Sequence, residues 1–211
     1  MGREFVDIFD DWSAENYDAS TSGQDPEYRD VFENYEVILD EVAKRVAGNV
    51  IEFGTGTGNL TALLAERATV TGIEPNEVMR TLTAKRFPGI DVLDGDLLDF
   101  PWPSSVDAFV STYVFHHLTD EEKGRALQVY AQLLPTGGKV VFADTAFISE
   151  EAKLQRIAKE RGRGYHAVAD DLEREYYTTV PILKELFEKT GFSVEMTKMN
   201  EYVWLMDATK R

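Results

Sequence analysis

The sequence predicts an α/β fold in which a mostly parallel sheet carries helices on both faces. Three observations support this prediction. Short apolar strands alternate with helical segments over roughly the first two thirds of the chain. A glycine-rich turn joins the first of these strands to the helix that follows it. Near the C-terminus only Asn200 and Glu201 separate two apolar strands, and so short a connection predicts an antiparallel hairpin.

The elements of the parallel part follow one another in a regular order. Short apolar runs predict five strands, over residues 49–53, 69–73, 90–93, 106–115 and 139–145. Apolar residues at helical spacing predict the helices around them, over residues 28–47, 59–67, 76–87 and 119–134. Asn76 is predicted to cap one helix, and Thr119 with Glu122 predicts a capping box on another. Right-handed crossovers then bring the loops after the strands to one edge of the sheet, where ligands bind.

The last third of the chain has a different pattern. Residues 150–177 are highly charged and predict helical structure with a glycine-rich break at 162–164. A further helix is predicted over residues 181–189, and the hairpin strands follow over 191–199 and 201–209. The final strand is therefore expected to run antiparallel to its neighbour.

Composition and charge argue against several classes of protein. The 211 residues carry a formal net charge of −16, which disfavours a nucleic-acid partner because phosphate binding usually rests on a basic face. Cysteine is absent, which excludes a disulfide framework and fits a reducing cytoplasm. No apolar run approaches the ~20 residues that cross a membrane, and the start of the chain does not resemble a signal peptide. We expect a cytoplasmic monomer or homodimer without a membrane partner.

The glycine-rich turn is the first candidate for a binding site. It reads Glu52-Phe-Gly54-Thr55-Gly56-Thr-Gly58 between a strand and a helix. The glycines let the backbone turn sharply and approach a ligand closely. The helix that follows offers free amides and a partial positive charge. Taken alone, this pattern is also compatible with a plain tight turn.

Two further elements are predicted on the same edge. Glu74, followed by Pro75, ends the second strand 20 positions after Gly54, where a carboxylate can accept hydrogen bonds from both hydroxyls of a ribose. After the third strand, Asp96 can accept from the amino group of an adenine while Leu97 offers its amide to a ring nitrogen. Each acid alone has a plainer interpretation as a solvated loop residue. The glycine-rich turn, Glu74 and the segment with Asp96 and Leu97 are expected side by side along one sheet edge. Together they predict a ligand that contains adenosine.

The fourth element is the end of the strand in the apolar run over residues 106–115, which we expect near Ser111 to Tyr113. We expect Ser111 to border the cofactor and Tyr113 to border the substrate. His116 and His117 follow, and either is a candidate general base. The alternative is that one histidine packs against the cofactor and the other caps the next helix. We expect no metal site, because the sequence shows no third ligand with helical spacing nearby.

These segments together resemble the class I S-adenosylmethionine-dependent methyltransferases, through residues 50–58, 72–75, 94–97 and 111–118. Over almost the whole chain the sequence is similar, more narrowly, to the YrrT-like methyltransferases of Bacillus-type bacteria, for example at residues 28–38 and 116–120. The resemblance implies a Rossmann-like, seven-stranded, mostly parallel sheet with an antiparallel last strand. It also implies S-adenosyl-L-methionine as cofactor, with Gly54 in the cofactor loop, Glu74 at the ribose and Asp96 at the adenine.

We therefore predict a methyltransferase that acts on a small-molecule acceptor. Aromatic residues of the N-terminal segment, with Tyr17 among them, are expected to close over the methionine end of the cofactor. Tyr165, His166 and Tyr177 are expected to line the acceptor pocket. The alternatives are that the N-terminal rings only pack the first helix onto the sheet, and that residues 150–177 form a solvated helical pair.

Two other functions stay open at this point. An NAD(P)-dependent oxidoreductase would use the same glycine loop and Glu74, although Asn59 stands where the third glycine of its usual pattern would be. The other is a regulatory protein that binds S-adenosylmethionine or S-adenosylhomocysteine without catalysis. In either case we expect one domain over residues 1–211, divided into a cap segment and helix (1–47), a cofactor-binding half (48–145), and a helical insertion with the C-terminal hairpin (146–211).

Overall fold

The computed structural model describes residues 20–103 and 105–211. Within them one sheet is formed by β1 (Gly48–Phe53), β2 (Ala68–Ile73), β3 (Asp91–Leu93), β4 (Ala108–Thr112), β5 (Lys139–Thr145), β6 (Phe192–Lys198) and β7 (Val203–Lys210). The helices are α1 (Tyr35–Ala43), α2 (Asn59–Ala65), α3 (Glu77–Arg86), α4 (Asp120–Leu133), α5 (Glu150–Arg163), α6 (His166–Arg174) and α7 (Val180–Lys189), with a 3₁₀ turn at Phe115–His117.

The sheet has the order β3-β2-β1-β4-β5-β7-β6. Strands β1 to β5 pair in parallel, whereas β7 is antiparallel to both β5 and β6. The predicted antiparallel last strand is therefore confirmed. The turn over residues 199–202 closes the hairpin, and its short length leaves the chain no room for a crossover.

The core lies on both faces of the sheet, as expected for strands that helices cover on both sides. Successive residues of one strand contribute to opposite faces, so that Ile51 and Phe109 pack on one face while Val50 and Val110 pack on the other. Tyr130 of α4 stacks on Phe109 with a centroid separation of 4.4 Å. Because side chains pack against both faces of the sheet, a ligand can reach the sheet mainly at the ends of its strands.

Local signals account for several element boundaries. Asn76 caps α3 by accepting a hydrogen bond from the amide of Met79, and Thr119 with Glu122 forms the predicted capping box on α4. Helices α5 and α6 are separated at Gly164, where φ is +81°. Backbone in this left-handed region favours glycine, so the break falls within the glycine-rich stretch where it was predicted.

Several element boundaries differ from the predictions. Helix α1 begins at Tyr35 rather than near residue 28, because Asn34 has a φ of +63° and the residues before it form turns. Strand β1 begins at Gly48 rather than at residue 49, and an added Cβ at Gly48 would lie 2.3 Å from Oδ2 of Asp107. Strand β4 ends at Thr112, within the range of Ser111 to Tyr113 expected from the sequence, because the backbone of Tyr113 turns to a φ of +58°.

Candidate active site

The register of the parallel strands brings the predicted loops together. Phe53 pairs with Ile73 and with Ser111, and Ile73 pairs with Leu93. Backbone hydrogen bonds continue this alignment past the strand ends: the amide of Gly54 donates to the carbonyl of Ile73 at 2.8 Å. The loops after β1, β2 and β4 therefore meet at one edge, as the sequence predicted.

The glycine loop is shaped by backbone that other residues rarely adopt. Gly54 has a φ of +69°, and a Cβ at that position would lie 2.4 Å from Cγ2 of Val114. Gly56 has a φ of +52° but faces open space. The loop after β1 thus packs directly against Val114, and it leaves open space beside Gly56.

Glu74 is nearly buried at the end of β2 and is bonded to the glycine loop. Its Oε2 accepts a hydrogen bond from the amide of Gly56 at 2.9 Å, and its Oε1 accepts one from the amide of Asn76 at 3.0 Å. Burial raises the pKa of this carboxyl, and the two amide donors act in the opposite direction. Pro75 follows Glu74, and the side chain of Arg80 donates to the carbonyls of both residues.

Glu52 is buried on the neighbouring strand. Its Oε2 accepts a hydrogen bond of 2.7 Å from the hydroxyl of Thr61 in α2. Burial raises the pKa of Glu52 to about 8, and the charge of Glu74 adds to the increase although the bond from Thr61 lowers it. The charge of Glu74 therefore contributes to the ionisation of Glu52, the other acid predicted at the cofactor site.

Asp96 lies in the loop after β3, where its side chain organises the backbone. Its Oδ1 accepts hydrogen bonds from the amides of Leu98 at 2.8 Å and Asp99 at 3.0 Å. The carbonyl of Leu97 accepts a 2.6 Å bond from the hydroxyl of Tyr130. Asp96 thus has a structural role within its own loop. An adenine contact by Asp96 and Leu97 stays a prediction.

Two buried hydroxyls border the glycine loop and the end of β4. Thr55 is 4% exposed and Ser111 is 1% exposed. Within the described part of the chain, Oγ1 of Thr55 and Oγ of Ser111 have no hydrogen-bond partner. Buried polar groups without partners are uncommon in folded proteins, and a polar ligand at this edge would satisfy them. The residues present therefore fit a bound cofactor here.

Tyr113 connects the strand edge to the N-terminal part of the chain. Its ring lies 5.0 Å from that of Phe32 and 5.8 Å from that of Tyr35, and its hydroxyl is 3.4 Å from the carbonyl of Val31. Its left-handed backbone is uncommon for a residue with a side chain, and such strain concentrates at functional sites. The structure thus places Tyr113 between the glycine loop and residues 31–35.

His116 is held between two carboxylates that the sequence analysis did not identify. Its Nδ1 lies 2.7 Å from Oδ1 of Asp144, and its Nε2 lies 3.0 Å from Oε2 of Glu175. Burial lowers the pKa of His116, but the charges of Asp144 and Glu175 outweigh burial and raise it to about 10. Asp144 is the last residue but one of β5, so its place near the shared edge was open to prediction, whereas Glu175 directly follows α6, far along the chain.

His117 lies beside this ion-pair cluster, with its ring centroid 4.2 Å from that of His116. Burial and then the positive charge of His116 lower the pKa of His117 to about 3. Burial would raise the pKa of the adjacent Glu175, but the charge and hydrogen bond of His116, together with the charge of His117 and the hydrogen bond from Tyr177, lower it to about 2. At neutral pH the cluster therefore combines a charged imidazole, a neutral imidazole and two carboxylates.

One of the three ring residues predicted for the acceptor pocket lies beside the histidines. The ring of Tyr177 stacks on His116 at 4.7 Å, and its hydroxyl donates to Glu175 at 2.7 Å. Tyr165 lies instead at the turn between α5 and α6, under the guanidinium of Arg163, and the side chain of His166 is exposed. The structure thus brings Tyr177 to the histidines and places Tyr165 and His166 at that turn.

Residues 27–30 attach the N-terminal part of the chain to the insertion. The hydroxyl of Tyr28 donates to Asp171, and Asp30 accepts a 2.6 Å bond from Arg163. Glu27 accepts a bond of 2.9 Å from an amide at the start of α6. Tyr17, predicted to close over the cofactor, lies outside the described residues, so this part of the prediction stays open.

Comparisons with known proteins agree with the geometry. A family model described as a methyltransferase domain matches residues 50–138. An uncharacterised methyltransferase of Geobacillus kaustophilus is 54% identical over 214 residues, covering 100% of this chain and 99% of the relative. One of Bacillus cytotoxicus is 50% identical over 213 residues, covering 100% of both chains. Magnesium protoporphyrin IX methyltransferase of Synechocystis, solved with bound S-adenosylhomocysteine, has a TM-score of 0.66 at 18% identity and covers 87% of each chain.

The fold and the site together define the class of this protein, a Rossmann-like methyltransferase that depends on S-adenosylmethionine. More particularly, the chain belongs to the family of methyltransferases found in Bacillus and Geobacillus that it matches from end to end. The resemblance inferred from the sequence is confirmed.

Proposed function

We propose that this protein transfers the methyl group of S-adenosylmethionine to a small-molecule acceptor at the carboxyl edge of the sheet. One observation carries the proposal. Gly54 and Glu74 directly follow β1 and β2, Ser111 lies near the end of β4, and these three adjacent strands bring them to one edge. The unsatisfied hydroxyls of Thr55 and Ser111 at this edge support a polar ligand there.

We assign the cofactor contacts to residues of this edge. Glu74 is placed to accept hydrogen bonds from the ribose, because each carboxylate oxygen that accepts one amide bond keeps a second lone pair. The open space beside Gly56 leaves room for a ligand near the N-terminus of α2. Asp96 and Leu97 stay our candidates for the adenine, and Tyr17 for the methionine end.

The bound cofactor supplies a methyl group on a positively charged sulfonium, which is a good leaving group. The protein therefore needs mainly to align the acceptor and exclude water, and alignment can supply ~7–11 kcal/mol of the barrier. We assign the acceptor pocket to the region where the sheet edge meets the insertion. It contains Tyr113, Tyr177 and residues 27–35. Of the two histidines, His117 is our candidate for a base, because it is neutral at pH 7 whereas both ring nitrogens of His116 face carboxylates, but its pKa of about 3 makes it a weak base.

The choice of a small acceptor rests on the net charge of the protein. A formal net charge of −16 opposes association with a polyanion, so we propose that nucleic acid is not the substrate. None of the helices in the described residues is long and apolar enough to cross a membrane. We propose a cytoplasmic location, supported by the absence of cysteine, and a monomer or homodimer.

Calorimetric titration with S-adenosylhomocysteine and with NADH, side by side, tests the cofactor. We expect saturable binding of S-adenosylhomocysteine and none of NADH; the opposite pattern would favour the oxidoreductase. A screen of metabolites that follows S-adenosylhomocysteine release then tests catalysis. Turnover of a small acceptor is expected, and cofactor binding without turnover of any acceptor would favour a regulatory protein.

A further inference from the structure

The two histidines and Glu175 form a cluster whose composition is that of a metal centre. One possible ligand atom from each of His116, His117 and Glu175 lies within 4.8 Å of the other two. Ligand atoms at bond lengths of about 2.1 Å around one ion lie roughly 3.0–4.2 Å apart. In tetrahedral and facial sites the separation is about 3.0–3.4 Å, so the three side chains would move together by up to ~1.8 Å to share an ion.

The contacts of His116 already match those of a metal ligand. One ring nitrogen, Nδ1, lies 2.7 Å from the carboxylate of Asp144, and the other, Nε2, faces Glu175 at 3.0 Å. Metal-binding histidines commonly donate one ring N–H to a carboxylate, which orients the ring and strengthens the opposite nitrogen as a ligand. Asp144 is placed to do this, since it also accepts the amide of His116 at 3.0 Å.

The charge of the cluster also suits a cation. Asp144 and Glu175 bring two carboxylates to a nearly buried place, where unpaired negative charge is costly. A proton on His116 and the guanidinium of Arg174, which lies 3.4 Å from Oε1 of Glu175, offset this charge, and a divalent ion would take the place of the proton. Two neutral imidazoles and one carboxylate form the ligand set of catalytic zinc sites and of facial iron(II) sites, both of which keep coordination positions open.

We propose that His116, His117 and Glu175 bind one divalent transition-metal ion, with Asp144 as the residue that orients His116. This replaces the expectation that no metal binds, which rested on the lack of a third ligand close in sequence. An ion at this place would hold an acceptor hydroxyl, thiol or amine in an open coordination position and lower its pKa. The ion would then take the place of His117 as the means of activating the acceptor.

The test uses tag-free protein treated with a chelator and dialysed. Titration with Zn²⁺ by calorimetry, and with Co²⁺ by visible absorption, should give saturable binding of one ion per chain. His117→Ala and Glu175→Gln should each weaken binding at least tenfold, and Asp144→Asn by about 10–100-fold. His166→Ala is the matched control, because His166 is the third histidine of the chain and its side chain is exposed, and its affinity should equal that of the wild type.

Three results would overturn the metal site: no saturable binding at one ion per chain, unchanged affinity in His117→Ala and Glu175→Gln, or an equal loss in His166→Ala. Circular dichroism of the same proteins detects misfolding. Titration of the same proteins with S-adenosylhomocysteine tests the proposed function separately from the metal site. Loss of metal with retained S-adenosylhomocysteine binding assigns the effect to the cluster. Failure of the wild type to bind S-adenosylhomocysteine would remove the proposed function and leave the metal result standing.

Discussion

The carboxylate of Glu74 accepts a hydrogen bond from the amide of Gly56 at 2.9 Å, which joins the end of β2 to the glycine loop after β1. A single acid therefore links the two loops on which the cofactor is proposed to lie. The bond also fixes the direction of the carboxylate, because both of its oxygens are held by backbone amides. This arrangement makes Glu74 the first residue to test.

Replacement of Glu74 by alanine is expected to weaken binding of S-adenosylhomocysteine by roughly 1–3 kcal/mol, the usual loss for hydrogen bonds to a charged group. Calorimetric titration measures this loss directly. Glu77→Ala is the control, because Glu77 is exposed on α3 only three positions away. An unchanged affinity in Glu74→Ala would remove Glu74 from the cofactor site.

The glycine loop allows a comparison of two alanine variants. Gly54 and Gly56 both have positive φ, but only at Gly54 does an added Cβ meet a neighbour, at 2.4 Å from Val114. Gly54→Ala should therefore destabilise the protein by about 1–3 kcal/mol more than Gly56→Ala, measured by urea unfolding. Adding Val114→Ala to Gly54→Ala should recover part of this difference. Equal stabilities of the two single variants would show that the contact with Val114 does not matter.

Glu52 is expected to make stability depend on pH. Its pKa is about 8 in the folded protein and ordinary in the unfolded chain, so the folded state holds a proton that the unfolded state releases. Stability should therefore fall as the pH rises from about 4.5 to 8. Glu52→Gln removes this titration while its amide oxygen can still accept from Thr61, so the variant should exceed the wild type by more than ~1 kcal/mol at pH 8.

Urea unfolding of the wild type and Glu52→Gln at pH 5 and pH 8 measures this effect. Glu66→Gln is a suitable control, because Glu66 is exposed at the end of α2 and should show the same pH profile as the wild type. Parallel profiles for Glu52→Gln and the wild type would contradict the raised pKa of Glu52.

The two histidines are expected to differ in their contribution to stability. His116→Ala leaves Asp144 and Glu175 without their shared partner, and breaking a buried ion pair costs about 3–5 kcal/mol. His117→Ala retains both contacts of His116 and should cost less than about half of that. Urea unfolding at pH 7 with a chelator present measures both. Similar losses would show that the two carboxylates do not depend on His116.

Much of the fold was predictable because its signals are local. Alternation of apolar strands with helices, the caps at Asn76 and Thr119, and the short link between the last two strands each depend on a few neighbouring residues. The end of β4 was predicted near Ser111 to Tyr113, but the left-handed backbone of Tyr113 that ends the strand leaves no mark in the sequence. The start of α1 was missed because its helical spacing continues into turns before Tyr35.

For the site, the sequence by itself determined the row of candidate cofactor residues, because parallel strands with right-handed crossovers always place their following loops on one edge. Gly54, Glu74 and Ser111 meet for this reason. Only the tertiary structure decided the surroundings of His116. Its partner Glu175 comes from the end of an insertion far along the chain, and long-range packing of this kind has no periodic signature that a single sequence displays.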